Sequence, residues 1–123
     1  MWHIETTTQW ERDSKHYQKK HSAELAAVLR NLDRYLSLLN TAKNPKAVQA
    51  GFLHHEPAGV VAVDQKGGGG NLQETRLYTY ADAAGKLLYI ITIGNKNEQP
   101  ADIEFAKDFV HTYFPPPAST PQS

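Results

Sequence analysis

Cysteine is absent from this chain, which excludes disulfides, thiolate metal sites and a cysteine nucleophile. An excess of one charge is absent too: 13 Lys and Arg balance 13 Asp and Glu. A protein whose main task is to grip nucleic acid usually carries a clear basic surplus, so direct DNA binding is not expected. No window approaches the roughly 18 consecutive apolar residues of a membrane span. The start, MWHIETTTQW, lacks the basic and apolar stretches of a secretory signal. These absences predict a cytoplasmic protein with no membrane partner. What is present is a 123-residue chain, 40% apolar and 21% charged, which suits one globular domain. Its charge is uneven. Up to Lys46 there are eight basic and five acidic residues; beyond it there are five and eight.

Residues 2–6 alternate large apolar and polar side chains and read as a first strand. Thr8 and Glu11 have capping-box spacing, predicting a helix over about 9–20. Ser22 reads as the N-cap of a second helix, with Glu24 in its positive first turn. The stripe Leu25, Leu29, Leu32, Leu36 and Leu39 puts five leucines on one face for burial, widened by Val28 and Tyr35. Asn44-Pro45 lies beyond its end. From there the period becomes strand-like. Val60 to Val63 is a β-branched run, and Gly67 to Gly70 form a flexible link. QETRLYTYADAAGKLLYIITIGNKN predicts a hairpin, with strands over about 74–81 and 86–93 and a turn at 82–85. Pro100 suits the first turn of a last helix with the stripe Ile103, Ala106, Val110 and Tyr113. The expected order is β-α-α-β-β-β-α. That is an α+β domain over 1–114, with a mostly antiparallel four-stranded sheet and helices packed on one face. Residues 115–123, rich in proline and serine, are expected to be a disordered tail.

Few residues carry chemistry. The four glycines lack the Lys-Ser/Thr pair and following helix of a phosphate loop, so no nucleotide cofactor is expected. His54 and His55 are adjacent and point in different directions, unlike the i, i+4 pair of a zinc helix, and no metal is expected. Asp102 and Glu104 are accounted for by the dipole of the helix they open. Arg76 stands alone in an aromatic and β-branched strand, and Lys96 follows the Gly94 kink on its partner. The hairpin puts both cations at one end, where they can hold a phosphate or stabilise a developing phosphorane. His54 or His55 can supply proton transfer if the loop before the second strand reaches that end. The competing reading is a solvent-facing sheet with ordinary charges.

The element order, the opening WHIETTTQWERDSKHYQKKH and above all TRLYTYADAAGKLLYIITIGNKN resemble the RelE/ParE superfamily of bacterial toxins. In that family an arginine opens an R-L-x-Y strand, and an apolar strand ends in glycine followed by basic residues. The resemblance implies the toxin half of a toxin–antitoxin pair, neutralised by a cognate antitoxin and touching DNA only through it. Its ribosome-dependent members cut mRNA by attack of the 2′-hydroxyl on the adjacent phosphate. That implies ribosome and mRNA as partners and gives Arg76 and Lys96 catalytic roles, with His54 and His55 as acid or base. The chain departs from the pattern where a C-terminal tyrosine is expected, near Asp102, and in lacking lysines over Val60 to Asp64. Two alternatives come from another class: a non-catalytic, ParE-like inhibitor of DNA gyrase, or a solitary RelE-fold interaction module.

Overall fold

A computed structural model describes residues 1–115 of the chain, so the predicted disordered tail lies outside the described residues except for Pro115. The chain opens with strand β1 (His3–Thr6) and helices α1 (Thr8–Lys20) and α2 (Ser22–Thr41). Four strands follow: β2 (Leu53–His55), β3 (Val60–Asp64), β4 (Thr75–Asp82) and β5 (Leu87–Asn95). Helix α3 (Gln99–Tyr113) closes the described part. The class is α+β. The sheet has five strands in the order β1-β5-β4-β3-β2. β1 runs parallel to β5, and the other neighbours are antiparallel.

Two expectations need correction. The sheet is five-stranded and mixed, not four-stranded, because residues 53–55 pair antiparallel with Val63, Ala62 and Val61. Three residues are too few to show a period of two, so this edge strand left no mark in the sequence pattern. Nor do the helices all lie on one face. α1 and α2 cover one side through Tyr17, Leu25, Val28, Leu32, Tyr35 and Leu39, packed on Val61, Val63, Leu77, Leu88, Ile90 and Ile93. α3 covers the other through Ala106 and Val110, on Val60, Ala62, Tyr78 and Ile91. The physical reason is that β3 and β5 are continuously apolar rather than alternating. Such strands hide both faces from water and need a layer on each side.

Local chemistry sets the details. Thr7, not Thr8, caps α1: its hydroxyl oxygen accepts the Trp10 N–H at 3.0 Å and its hydroxyl donates to the Ile91 carbonyl at 2.6 Å. Tyr78 pairs with Thr92 and Thr79 with Ile90, so Ile91 is an extra residue on β5. A bulge of this kind frees a backbone group from the ladder, and Thr7 uses it to fasten α1 to the sheet. His21, rather than Ser22, precedes the first turn of α2, without a side-chain cap. The core stripe of α2 lies toward the Val28 and Tyr35 edge of the expected face. Leu25, Val28, Leu32, Tyr35 and Leu39 are buried, Leu36 sits at the margin and Leu29 is 38% exposed. In α3, Tyr113 is exposed and the ring of Phe114 stacks on Tyr80 instead.

Candidate functional site

The residues singled out for chemistry fall on β2, β4 and the turn after β5. Along β2 the side chains alternate, so His54 and His55 leave the sheet on opposite faces. His54 pairs with Ala62 and His55 with Val61, residues belonging to the two different cores. His55 Nε2 meets the Val48 carbonyl at 3.1 Å on the α2 side. His54 Nε2 lies 2.7 Å from Asp64 Oδ2 on the α3 side. The structure therefore separates the two histidines.

Asp64 ends β3 and is 3% exposed. Every oxygen around it has work. Oδ1 accepts the Lys66 N–H at 2.8 Å, Oδ2 faces His54, and Lys66 Nζ stands 3.6 Å from Oδ2. The Asp64 backbone carbonyl accepts Asn31 Nδ2 at 2.9 Å, and that same amide donates to the Lys66 carbonyl at 2.8 Å. Asn31 is thus the one polar residue in the buried stripe of α2, and it fixes the chain on both sides of Gln65. A buried carboxylate held this firmly fixes the imidazole of His54 and selects its tautomer. The His54 side chain is 27% exposed, and its Nδ1 has no hydrogen bond among the described residues.

Arg76 lies beside this pair, in register with Asp64 on β3 and Gly94 on β5. Its side chain is 19% exposed and spans two carboxylates: NH1 is 3.5 Å from Glu56 and NH2 is 3.7 Å from Glu74. Glu74 is itself held by Gln99 Nε2 at 2.6 Å. Nε is buried without a partner among the described residues. The two carboxylates offset the guanidinium charge. Lys96 follows Asn95, the partner of Thr75, and opens the short turn Lys96–Glu98. It is exposed, at the Arg76 end of the sheet, with no ion pair among the described residues.

Under α3, on the same face, polar atoms go unpaired. Tyr78 hydroxyl and Asp102 Oδ2 are both buried without hydrogen-bond partners among the described residues. Burial pushes the Asp102 carboxyl up from 3.8 to about 7, with Glu98 and then Asp13 adding repulsion. Burial likewise raises the Tyr78 phenol, helped by Asp102. Asp102 is therefore more than a dipole-neutralising residue. It presses on the backbone of Gly94, where any Cβ would overlap its Oδ2.

The site that emerges is His54, Asp64, Lys66 and Arg76, with Lys96 at its margin and His55 outside it. In the sequence Glu56 reads with His54 and His55 as a ligand-like cluster and Lys66 as the one lysine near β3, whereas Asp64, Asn31 and Glu74 were not singled out. The one available signal was Asp64, an acid closing an otherwise apolar strand. Among the described residues no group of three or more His, Asp or Glu is placed to hold a metal ion, and no helix is long and apolar enough to cross a membrane. No protein-family model matches the chain, and no curated protein matches it.

Proposed function

We propose that this chain is a RelE/ParE-like toxin of a toxin–antitoxin pair, acting in the cytoplasm by cutting ribosome-bound mRNA. The observation that carries the chemistry is the His54–Asp64 pair at 2.7 Å, with Arg76 on the neighbouring strand in register with Asp64. In the proposed reaction His54 Nδ1 takes the proton of a 2′-hydroxyl, and that oxygen attacks the adjacent phosphorus. The bond to the 5′ oxygen breaks, the leaving oxygen takes a proton from solvent, and a 2′,3′-cyclic phosphate remains. Asp64 stabilises the imidazolium. Arg76 and Lys66 face the negative charge that develops on the phosphorane. The cognate antitoxin is expected to cover this end of the sheet, where an acidic segment gains most from Lys66 and Lys96.

A second reading has its own observation. Glu56 and Glu74 neutralise Arg76, and the chain carries no net charge, both of which weaken attraction for RNA. That favours a toxin of the same type that acts by binding a protein such as DNA gyrase. Inducible expression of wild type, His54→Gln and Arg76→Ala separates the two. Cleavage predicts growth arrest with cut mRNA in wild type and neither effect in the variants. Arrest that persists in His54→Gln with intact mRNA selects the binding reading, and no arrest in wild type defeats both.

A further inference from the structure

His55, excluded from the site above, lines a cavity of about 500 Å³ at the far end of the sheet. That is within the range of small-molecule sites. Its walls come from five separate parts of the chain. They are Tyr35 of α2, Lys46 in the turn that follows it, His55 of β2, Ala58 and Gly59 before β3, and Tyr80 to Ala84 at the hairpin turn.

Three observations mark this cavity as built rather than left over. Tyr35 is 1% exposed, yet its hydroxyl makes no hydrogen bond among the described residues and is not among the solvent-sealed unpaired atoms. Tyr35 lines the cavity, and burial pushes its phenol up to about 12, so it remains a donor. Ala58 adopts φ 63° and Gly59 φ 81°, so a residue with a Cβ is held in the left-handed region in the cavity wall. Strain of that type persists where surrounding packing imposes it, and it concentrates at binding sites. Lastly, the polar groups are sorted. Lys46 and Tyr35 offer donors, while Asp82 is the one carboxylate in the lining and comes from the hairpin turn. Neither Lys46 nor Asp82 is in an ion pair among the described residues. The rest of the lining includes the alanines 58, 81, 83 and 84, Pro45 and Val61, whose short side chains are apolar.

We propose that this cavity binds a small organic acid, with Lys46 and the Tyr35 hydroxyl as donors to its carboxylate and Asp82 as acceptor for a polar hydrogen elsewhere on it. The site is independent of RNA cleavage and stands whether or not His54 is catalytic. The probe is 6-hydroxy-2-naphthoate, with 6-hydroxy-2-naphthamide as its uncharged isostere, titrated onto the full chain and followed by amide NMR. Expected are saturable shifts at Ala58, Gly59, Ala83 and Ala84, with the amide binding about tenfold more weakly, as loss of a charge-assisted hydrogen bond implies. Tyr35→Phe keeps the ring, and Lys46→Met alters an exposed side chain, so both should melt like wild type while losing about tenfold in affinity. Equal binding of acid and amide overturns the proposal. So do shifts centred on His54 and Arg76, or unchanged affinity in both variants.

Discussion

Replacing Asp102 by asparagine should stabilise the domain at neutral and alkaline pH while leaving it unaffected at acid pH. The carboxyl lies in the first turn of α3, against Gly94, with Glu98 and Asp13 as acidic neighbours and one oxygen unpaired. Its folded-state value, near 7, is raised above its ordinary 3.8. Between those limits the folded chain holds a proton that the unfolded chain has released. Stability therefore falls as pH rises through that window and levels off above about 7. The linkage amounts to at most about 4 kcal/mol. Asp102 is only half-buried, and solvent screening brings the working figure to about 1–2 kcal/mol. Asparagine has nearly the same shape, no charge to desolvate and an amide that can donate to Glu98. Urea unfolding of both proteins from pH 4 to pH 9 measures the effect. Wild type should lose about 1–2 kcal/mol across the window, and Asp102→Asn should not follow it. A variant less stable than wild type at pH 8, or a wild-type profile that rises between pH 4 and 7, would refute the reasoning.

The remaining predictions probe packing and the site. Leu32→Ala should cost about 2–5 kcal/mol in chemical denaturation, whereas Leu29→Ala, at an exposed position, should stay within about 0.5 kcal/mol. Gly94→Ala should destabilise by about 1–3 kcal/mol through its collision with Asp102, and by much less in an Asp102→Ala background; equal costs in both backgrounds would remove that contact from the account. Thr7→Ala loses both the cap of α1 and the partner of the Ile91 carbonyl, and should lower stability by about 1–2 kcal/mol. Arg76→Lys should recover little of the activity lost in Arg76→Ala, since lysine keeps the charge but not the fork; full activity in Arg76→Lys would reduce Arg76 to a point charge.

The parts of the fold legible in the sequence were those whose signal is long and local. The β4–β5 hairpin is announced by its β-branched and aromatic residues, by Gly85 and by the polar turn, and the two long helices by their periodicity. What stayed hidden depended on partners distant in the chain. β2 exists because β3 offers it an edge, not because residues 53–55 favour a strand. Val28 and Tyr35 were legible as the widened edge of the α2 stripe; that they take the sheet in place of Leu29 was not, because leucine spacing does not say which edge of the stripe is buried. α3 takes the second face because the central strands are apolar on both sides. At the site, pattern reading found His54 and Arg76 as chemistry-bearing types but not what orients them. Asp64 is ten residues from His54, and Asn31 is thirty-three from Asp64. Adjacent histidines cannot share one face of a strand, so the sequence already required one of them to serve elsewhere.

The central claim is that His54, oriented by Asp64, takes a proton in mRNA cleavage. The most direct test is the chemistry of the RNA ends formed when purified protein is added to translating ribosomes. The account predicts new 3′ ends carrying a 2′,3′-cyclic phosphate with wild type. It predicts none with His54→Gln and about 10²-fold fewer or less with Asp64→Asn, both variants retaining wild-type melting. Intact mRNA with wild type, or undiminished cyclic-phosphate ends with His54→Gln, would contradict it.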